Sequence, residues 1–424
     1  MDCARYEKGR EKRLMKAVVF TLGCKVNGCE SASLIAGLNS LGYETSSELG
    51  YADLYIINTC AVTAEAEKKS RQTIARARKF NENAKIIVTG CASQKVPQDF
   101  LKKKGVTLVT GAKSKDKILS MIESEGVFIE DKDEYYEEFL PEKTDRTRAF
   151  IKVEDGCDNF CSYCVIPYLR GRVRSRKPEN AVAEIIALSP LEAVITGINL
   201  SAYNYNGTGF KELIDRLSGV DCRIRLGSLE VGVITEEFLN SLKKLKDFAP
   251  HFHLSLQSGS TAVLKTMNRK YTAEEFLRKC ELLREFFPDA AITTDIIVGY
   301  STESEENFEE TLETARRAKF ADIHCFPYSK REGTVGAKLK ELPSKVKDER
   351  MERILALKRE LKNRYLDEHI GVTEEVVPEE EEDGYTVGYT GNYIRCYIKT
   401  PFVCEKIKVK IIEKYKDGVI AEGV

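Results

Sequence analysis

Three apolar runs near the amino end each stop at a cysteine, and this repeated pairing constrains the fold more than any other feature of the 424-residue chain. Residues 17–22 lead to Gly23-Cys24, residues 54–59 to Cys60 and residues 86–90 to Cys91. Strands that are apolar at consecutive positions are covered on both faces, and helical stretches near 29–41 and 64–80 supply the cover. This part therefore reads as a parallel α/β sheet. Ligands of such sheets bind beyond the carboxyl ends of the strands, so three cysteines far apart in sequence converge on one edge. They read either as three thiolate ligands or as three small buried residues. Their recurrence past three successive strands favours ligands. Cys29, near the start of the first helical stretch, is left unassigned.

A second set follows the apolar run 149–153: Cys157-Asp158-Asn159-Phe160-Cys161-Ser162-Tyr163-Cys164. Three cysteines this close can grip one metal centre without help from the rest of the fold. A structural zinc site wants four ligands, with His253 or His324 available as the fourth. An iron–sulfur cubane held by three cysteines instead keeps one iron open for a substrate. Thirteen cysteines in a chain whose start, residues 1–13, is charged and lacks an apolar signal segment point to metal or catalytic thiols in a reducing, cytoplasmic setting. No apolar run reaches membrane-spanning length. With a net charge of −1, any nucleic-acid footprint is local.

From residue 149 six strand candidates alternate with helices: 149–153, 193–196, 223–228, 251–256, 291–298 and 323–328. Repeated β-α units form a barrel or an open parallel sheet whose site lies at the strand carboxyl ends. After Cys164, arginines fall at alternate positions: Arg170, Arg172, Arg174 and Arg176. In an extended segment they share one face and could hold phosphates, the alternative being a solvated surface. A second basic stretch, 68–79, reads as a phosphate contact or a solvated helix face. Residues 346–369 read as a long charged helix. Short alternating strands follow from 372, broken by an acidic loop at 379–384, with Lys406, Lys408, Lys410 and Lys414 mostly on one strand face.

Three segments carry a family resemblance: Thr21-Leu22-Gly23-Cys24-Lys25-Val26-Asn27, Asn58-Thr59-Cys60-Ala61-Val62-Thr63 and Thr89-Gly90-Cys91. With the C-x3-C-x2-C loop, they resemble the radical S-adenosylmethionine (SAM) methylthiotransferases. Cys24-Lys25-Val26-Asn27, Asn159-Phe160-Cys161 and residues 326–334 look most like the branch acting on N6-threonylcarbamoyladenosine at tRNA position 37. The branches acting on isopentenyladenosine and on a ribosomal-protein aspartate are the near alternatives.

Residues 1–14 show no apolar period and read as a disordered tail; the resemblance implies an amino-terminal α/β domain at 15–126, a partial (β/α)6 barrel at 143–371 and a small RNA-binding β-barrel of the TRAM type at 372–424. It implies one [4Fe-4S] cluster on Cys157, Cys161 and Cys164 and an auxiliary one on Cys24, Cys60 and Cys91. SAM, two equivalents per turnover, would lie against Tyr163, Gly197, Asn199, Ser228, Glu230, Gln257 and Asp295. The RNA partner is a tRNA anticodon loop, contacted by Arg170, Arg172, Arg174, Arg176, Lys406 and Lys408. The resemblance also implies a flavodoxin- or ferredoxin-type electron donor. Val231 and Ser301 stand where the family pattern has prolines. An iron–sulfur electron carrier and a zinc-bearing RNA-binding protein are the rival readings from other classes.

Overall fold

The computed structural model describes residues 14–130, 135–138 and 147–424. Most of the expected amino-terminal tail and much of the charged connection at 123–148 lie outside the described residues. Two compact units emerge, one reaching to residue 130 and one carrying most of the remainder.

The first unit is a six-stranded, all-parallel sheet. Its order across the sheet is Glu44–Ser46, Lys16–Thr21, Leu54–Thr59, Lys85–Gly90, Val106–Thr110 and Gly126–Phe128. Ile56, Ile57, Ile87 and Val88 are fully buried, as continuous apolar strands require. Leu34 and Leu38 of the helix Lys25–Ser40 pack on one face with Ile118. That helix begins four residues before the expected 29, so Cys24 is its N-cap residue and Cys29 lies inside it. Glu30 and Lys115, both fully buried, form an ion pair that ties it to the turn Lys115–Met121.

In the second unit the six expected strands form a parallel wall of two sheets: Arg148–Lys152, Glu192–Thr196 and Arg223–Leu226 in one, and Ser228–Leu229, His251–Leu254, Ala291–Val298 and Asp322–Pro327 in the other. The third is broken at Gly227: its first half pairs with Glu192–Thr196 and its second with His251–Leu254. A Cβ at Gly227 would stand 3.0 Å from the Ile195 carbonyl, so a side chain there would crowd the neighbouring strand. The outer helices match their sequence signals. Thr272 caps Ala273–Phe286 by accepting from Glu275 N (3.1 Å) while Glu275 accepts from Thr272 N (2.7 Å).

The helix Ser344–Asp367 leads into a closed five-stranded barrel, Thr373–Glu382, Tyr385–Thr390, Arg395–Ile398, Ile407–Tyr415 and Gly418–Gly423. The acidic run is not the loop expected at 379–384. Its glutamates continue the first strand to Glu382, and Asp383 (φ 50°) and Gly384 (φ 79°) alone make the turn. The closed barrel docks on the feet of the parallel strands. Arg225 bonds to Glu192 (2.8 Å) and to the carbonyls of Thr390 and Gly391 (2.8 and 3.0 Å). Arg223 reaches Glu375 (2.7 Å), and Arg148 pairs with Glu379. The closed barrel thus covers the amino ends of the strands, the end away from the cysteine loop. Among the described residues, no helix is long and apolar enough to cross a membrane.

Candidate metal centres and cofactor cavity

In the first unit the strands that precede Cys24, Cys60 and Cys91 are adjacent, with Thr21 opposite Asn58 and Thr59 opposite Gly90. Cys24 is exposed, while Cys60 and Cys91 are buried. Gly23 has φ +110°, and a Cβ there would lie 3.0 Å from Cys60 Sγ. Gly90 has φ +104°, and its Cβ would strike the Thr59 carbonyl at 2.4 Å. Only glycine allows these turns to bring the strand ends so close. Asn27 frames the edge, donating to the carbonyls of Leu22 (2.8 Å) and Thr59 (3.1 Å). Asn58 donates to the Asn27 carbonyl (3.1 Å) and Ser31 Oγ (3.0 Å). Both asparagines stand in the segments that carry the family resemblance, and local sequence assigns neither a role. Their signal is a polar side chain at the end of an apolar strand or the start of a helix.

In the second unit the loop of Cys157, Cys161 and Cys164 leaves the first strand of the wall. Gly156 (φ +85°) admits no side chain, because a Cβ would overlap the Arg172 carbonyl at 2.0 Å. Asp155 anchors the loop from beneath: Arg170 donates to both its oxygens (3.0 Å each), and Lys152 stands at 2.6 Å. From above, Asn268 Nδ2 donates to the carbonyls of Asn159 (3.0 Å) and Phe160 (3.1 Å), and Ser162 N donates to Met267 O (3.0 Å). Asn199 Nδ2 faces Cys157 Sγ at 3.7 Å, and Arg269 Nη1 faces Cys161 Sγ at 3.4 Å. Burial pushes the Cys164 thiol up to about 12, and Cys161 and Cys157 push it the same way. Such thiols ionise when a metal replaces the proton.

Three cysteines fit a cubane, which takes one thiolate per iron and leaves the fourth iron for another ligand, whereas a structural zinc site wants four protein ligands. His253, one of the two candidate fourth ligands of the zinc reading, has its two ring nitrogens at Thr293 Oγ1 (3.0 Å) and Asp295 Oδ2 (3.2 Å), and its ring lies 5.5 Å from that of His324, the other.

A cavity opens beside Cys164, lined in this unit by Tyr163, Gln257, Asp295, Phe326, Tyr328 and Arg331 among others. Gln257 holds φ 68°, a conformation rare outside glycine, and is locked there by bonds to the strand Ala291–Val298. A smaller cavity of about 90 Å³ lies beside Cys161, bounded by Asn159, Glu230, Asn268, Arg269 and Tyr271. The seven residues expected around SAM therefore divide. Tyr163, Gln257 and Asp295 share the larger cavity and Glu230 lies in the smaller, whereas Gly197, Asn199 and Ser228 line neither. A Cβ at Gly197 would stand 2.7 Å from Glu154 Oε2, which also accepts from Asn199 N (2.6 Å). These two serve the buried Glu154, whose carboxyl burial holds up at about 8.

The expected arginine comb is corrected. Ile166–Arg170 is helical, not extended. Arg170 and Arg174 turn inward to Asp155, and Arg176 to Glu184 and Glu138 (2.8 Å). Arg172 alone of the four is exposed, stacked 5.1 Å over the Phe160 ring beside Asp158. Lys406 is half-buried against Asp247 and Glu375, in the seam between the closed barrel and the parallel wall, while Lys408 and Lys410 face solvent. Arg269 and Asn268, to which the sequence assigns no role, both reach the cysteine loop, Arg269 also pairing with Glu230 (3.0 Å).

Two family models match the chain: the uncharacterized protein family UPF0004 over residues 16–111 and the radical SAM superfamily over residues 151–315. The threonylcarbamoyladenosine tRNA methylthiotransferase MtaB of Bacillus subtilis is 39% identical, covering 95% of this chain and 96% of its own. Its namesake in Thermotoga maritima is 38% identical over 96% and 97%. The tRNA-2-methylthio-N(6)-dimethylallyladenosine synthase of Caldicellulosiruptor saccharolyticus is 33% identical over 96% and 92%. Among solved structures, the radical SAM methyltransferase TsrM of Kitasatospora setae superposes with a TM-score of 0.56 at 15% identity, over 76% of this chain and 77% of its own, a likeness of fold. Identity above 30% along nearly the whole length, over a parallel-stranded wall with a three-cysteine loop at its carboxyl edge, places the chain in the radical SAM methylthiotransferase family.

Proposed function

We propose that the chain adds a methylthio group to C2 of N6-threonylcarbamoyladenosine at position 37 of tRNA. The observation that carries this reading is the near-full-length identity of 38–39% to relatives named for that substrate, against 33–35% for relatives named for dimethylallyladenosine. Cys157, Cys161 and Cys164 hold one [4Fe-4S] cluster, and Cys24, Cys60 and Cys91 hold the auxiliary one. Bound, the clusters and two equivalents of SAM supply one-electron SAM cleavage, hydrogen abstraction at an unactivated carbon, sulfur and methyl.

The chain's own residues bind, orient and exclude water. Tyr163, Phe326 and Tyr328 wall the cavity with apolar surface, while Gln257, Asp295 and Arg331 supply its polar groups. Asp155 and Asn268 fix the loop of Cys157, Cys161 and Cys164, the residues that would hold the cluster. The adenine enters unstacked from the anticodon loop. Arg172, Lys408 and Lys410 are the solvent-facing cations suited to its phosphates. A flavodoxin- or ferredoxin-type protein delivers the electron.

Mass spectrometry of tRNA nucleosides from cells with and without the gene tests the assignment. The 2-methylthio derivative of threonylcarbamoyladenosine should vanish on deletion, leaving its unthiolated precursor. Loss of the isopentenyl derivative instead would reassign the substrate.

A further inference from the structure

Arg269 is placed to act on a cysteine sulfur rather than on substrate. It follows the short helix Thr261–Thr266, in the turn that clamps the cysteine loop. Its side chain is 6% exposed, and its donors go to defined acceptors. Nη1 faces Cys161 Sγ at 3.4 Å and Glu230 Oε1 at 3.0 Å; Nε donates to Tyr271 Oη at 3.1 Å and Nη2 to Ser255 O at 3.1 Å. The guanidinium also lies 5.0 Å from the Tyr271 ring centre. Glu230 is held in turn by Asn159 Nδ2 at 2.7 Å. The Arg269 guanidinium thus touches both a cysteine sulfur of the loop and a carboxylate.

We propose that Arg269 and Glu230 form an opposed pair that sets the reduction potential of the cluster on Cys157, Cys161 and Cys164. The proposal rests on the assignment of that cluster. One-electron reduction adds negative charge to the iron–sulfur core, and part of it resides on the cysteine sulfurs. A cationic donor at Cys161 stabilises the reduced form more than the oxidised form and raises the potential. Charge-assisted bonds are the strong ones, and burial keeps water from screening this one. Glu230 has the opposite sign of effect, because it offsets the Arg269 charge and adds its own negative charge nearby. Asn199, a neutral donor 3.7 Å from Cys157 Sγ, makes a weaker contribution of the same sign as Arg269. Arg269 is a positioning and tuning residue in this account.

The test is an EPR-monitored redox titration of the full chain without SAM, with Cys24, Cys60 and Cys91 replaced by Ala so that one cluster reports. Arg269→Met should move the midpoint to more negative potential, with Arg269→Lys in between because the charge survives without the fork. Glu230→Gln should move it to more positive potential. Opposite signs separate tuning from loosening of the loop, which would move both variants the same way. Unchanged midpoints in both variants, or shifts of the same sign, overturn the proposal. Should Arg269→Met fail to retain iron, the sign of the Glu230→Gln shift alone decides. A parent protein that binds no four-iron cluster would overturn the cluster assignment itself, a result read from iron content before any titration.

Discussion

Replacing Arg225 with Ala should unseat the carboxy-terminal barrel from the strand feet. Arg225 is 1% exposed and bonds to Glu192 through Nε and Nη2 at 2.8 Å each. It also donates to the Thr390 carbonyl at 2.8 Å and the Gly391 carbonyl at 3.0 Å. Truncation strands a carboxylate that is itself 1% exposed and strips two buried carbonyls of a charged donor. Arg148, 2.7 Å from Glu192 Oε1, keeps part of the compensation. Breaking a buried pair from one side costs about 3–5 kcal/mol, a large share of the roughly 5–15 kcal/mol by which domains are stable. At about 2 °C per kcal/mol for a unit of this size, the melting temperature should fall by about 6–10 °C. Hydrogen exchange should rise in strands Tyr385–Thr390 and Arg395–Ile398 before it rises in the parallel wall. A cycle with Glu192→Gln should return a coupling of about 1 kcal/mol or more. A melting point lowered by less than about 2 °C, with unchanged exchange in these strands, would refute the claim that this contact holds the barrels together.

Three other outcomes are expected. Each triple cysteine replacement, at 157, 161 and 164 or at 24, 60 and 91, should about halve the bound iron, and only the first should abolish reductive SAM cleavage; full iron in either variant would refute that ligand set. Glu154 has a folded-state carboxyl value near 8 because it is buried, above its ordinary 4.5, so its contribution is fully present below about pH 4.5 and is lost as the pH rises toward 8. Wild-type stability should therefore fall relative to Glu154→Gln across that window, by up to about 1.4 kcal/mol per pH unit, and parallel pH profiles in chemical denaturation would contradict it. Arg172→Ala and the pair Lys408→Ala, Lys410→Ala should each weaken tRNA binding and make its salt dependence shallower; unchanged salt slopes would remove these positions from the footprint. Deleting residues 372–424 is a poorer probe of RNA binding, since it strands Arg148, Arg223 and Arg225.

What could be read from the sequence alone was whatever local periodicity encodes. Strands such as 54–59 and 291–298 are consecutive apolar residues, helices such as Pro178–Leu188 and Glu305–Ala318 carry their own start signals, and each supplies information within a few residues of itself. The two cysteine triplets were legible for the same reason: one is a short spacing, the other a cysteine at the end of each of three similar strands. The fate of a charged side chain is not local. Arg170, Arg172, Arg174 and Arg176 look alike in sequence, yet Asp155, Glu138 and Glu184 draw three of them inward and leave Arg172 outside. Likewise Arg269 was silent until the chain folded, because its partners Cys161, Glu230 and Ser255 come from three other segments. Only the tertiary structure brings a guanidinium to a sulfur 108 residues away, because an ion pair is specified by distance and burial, which no sequence window contains.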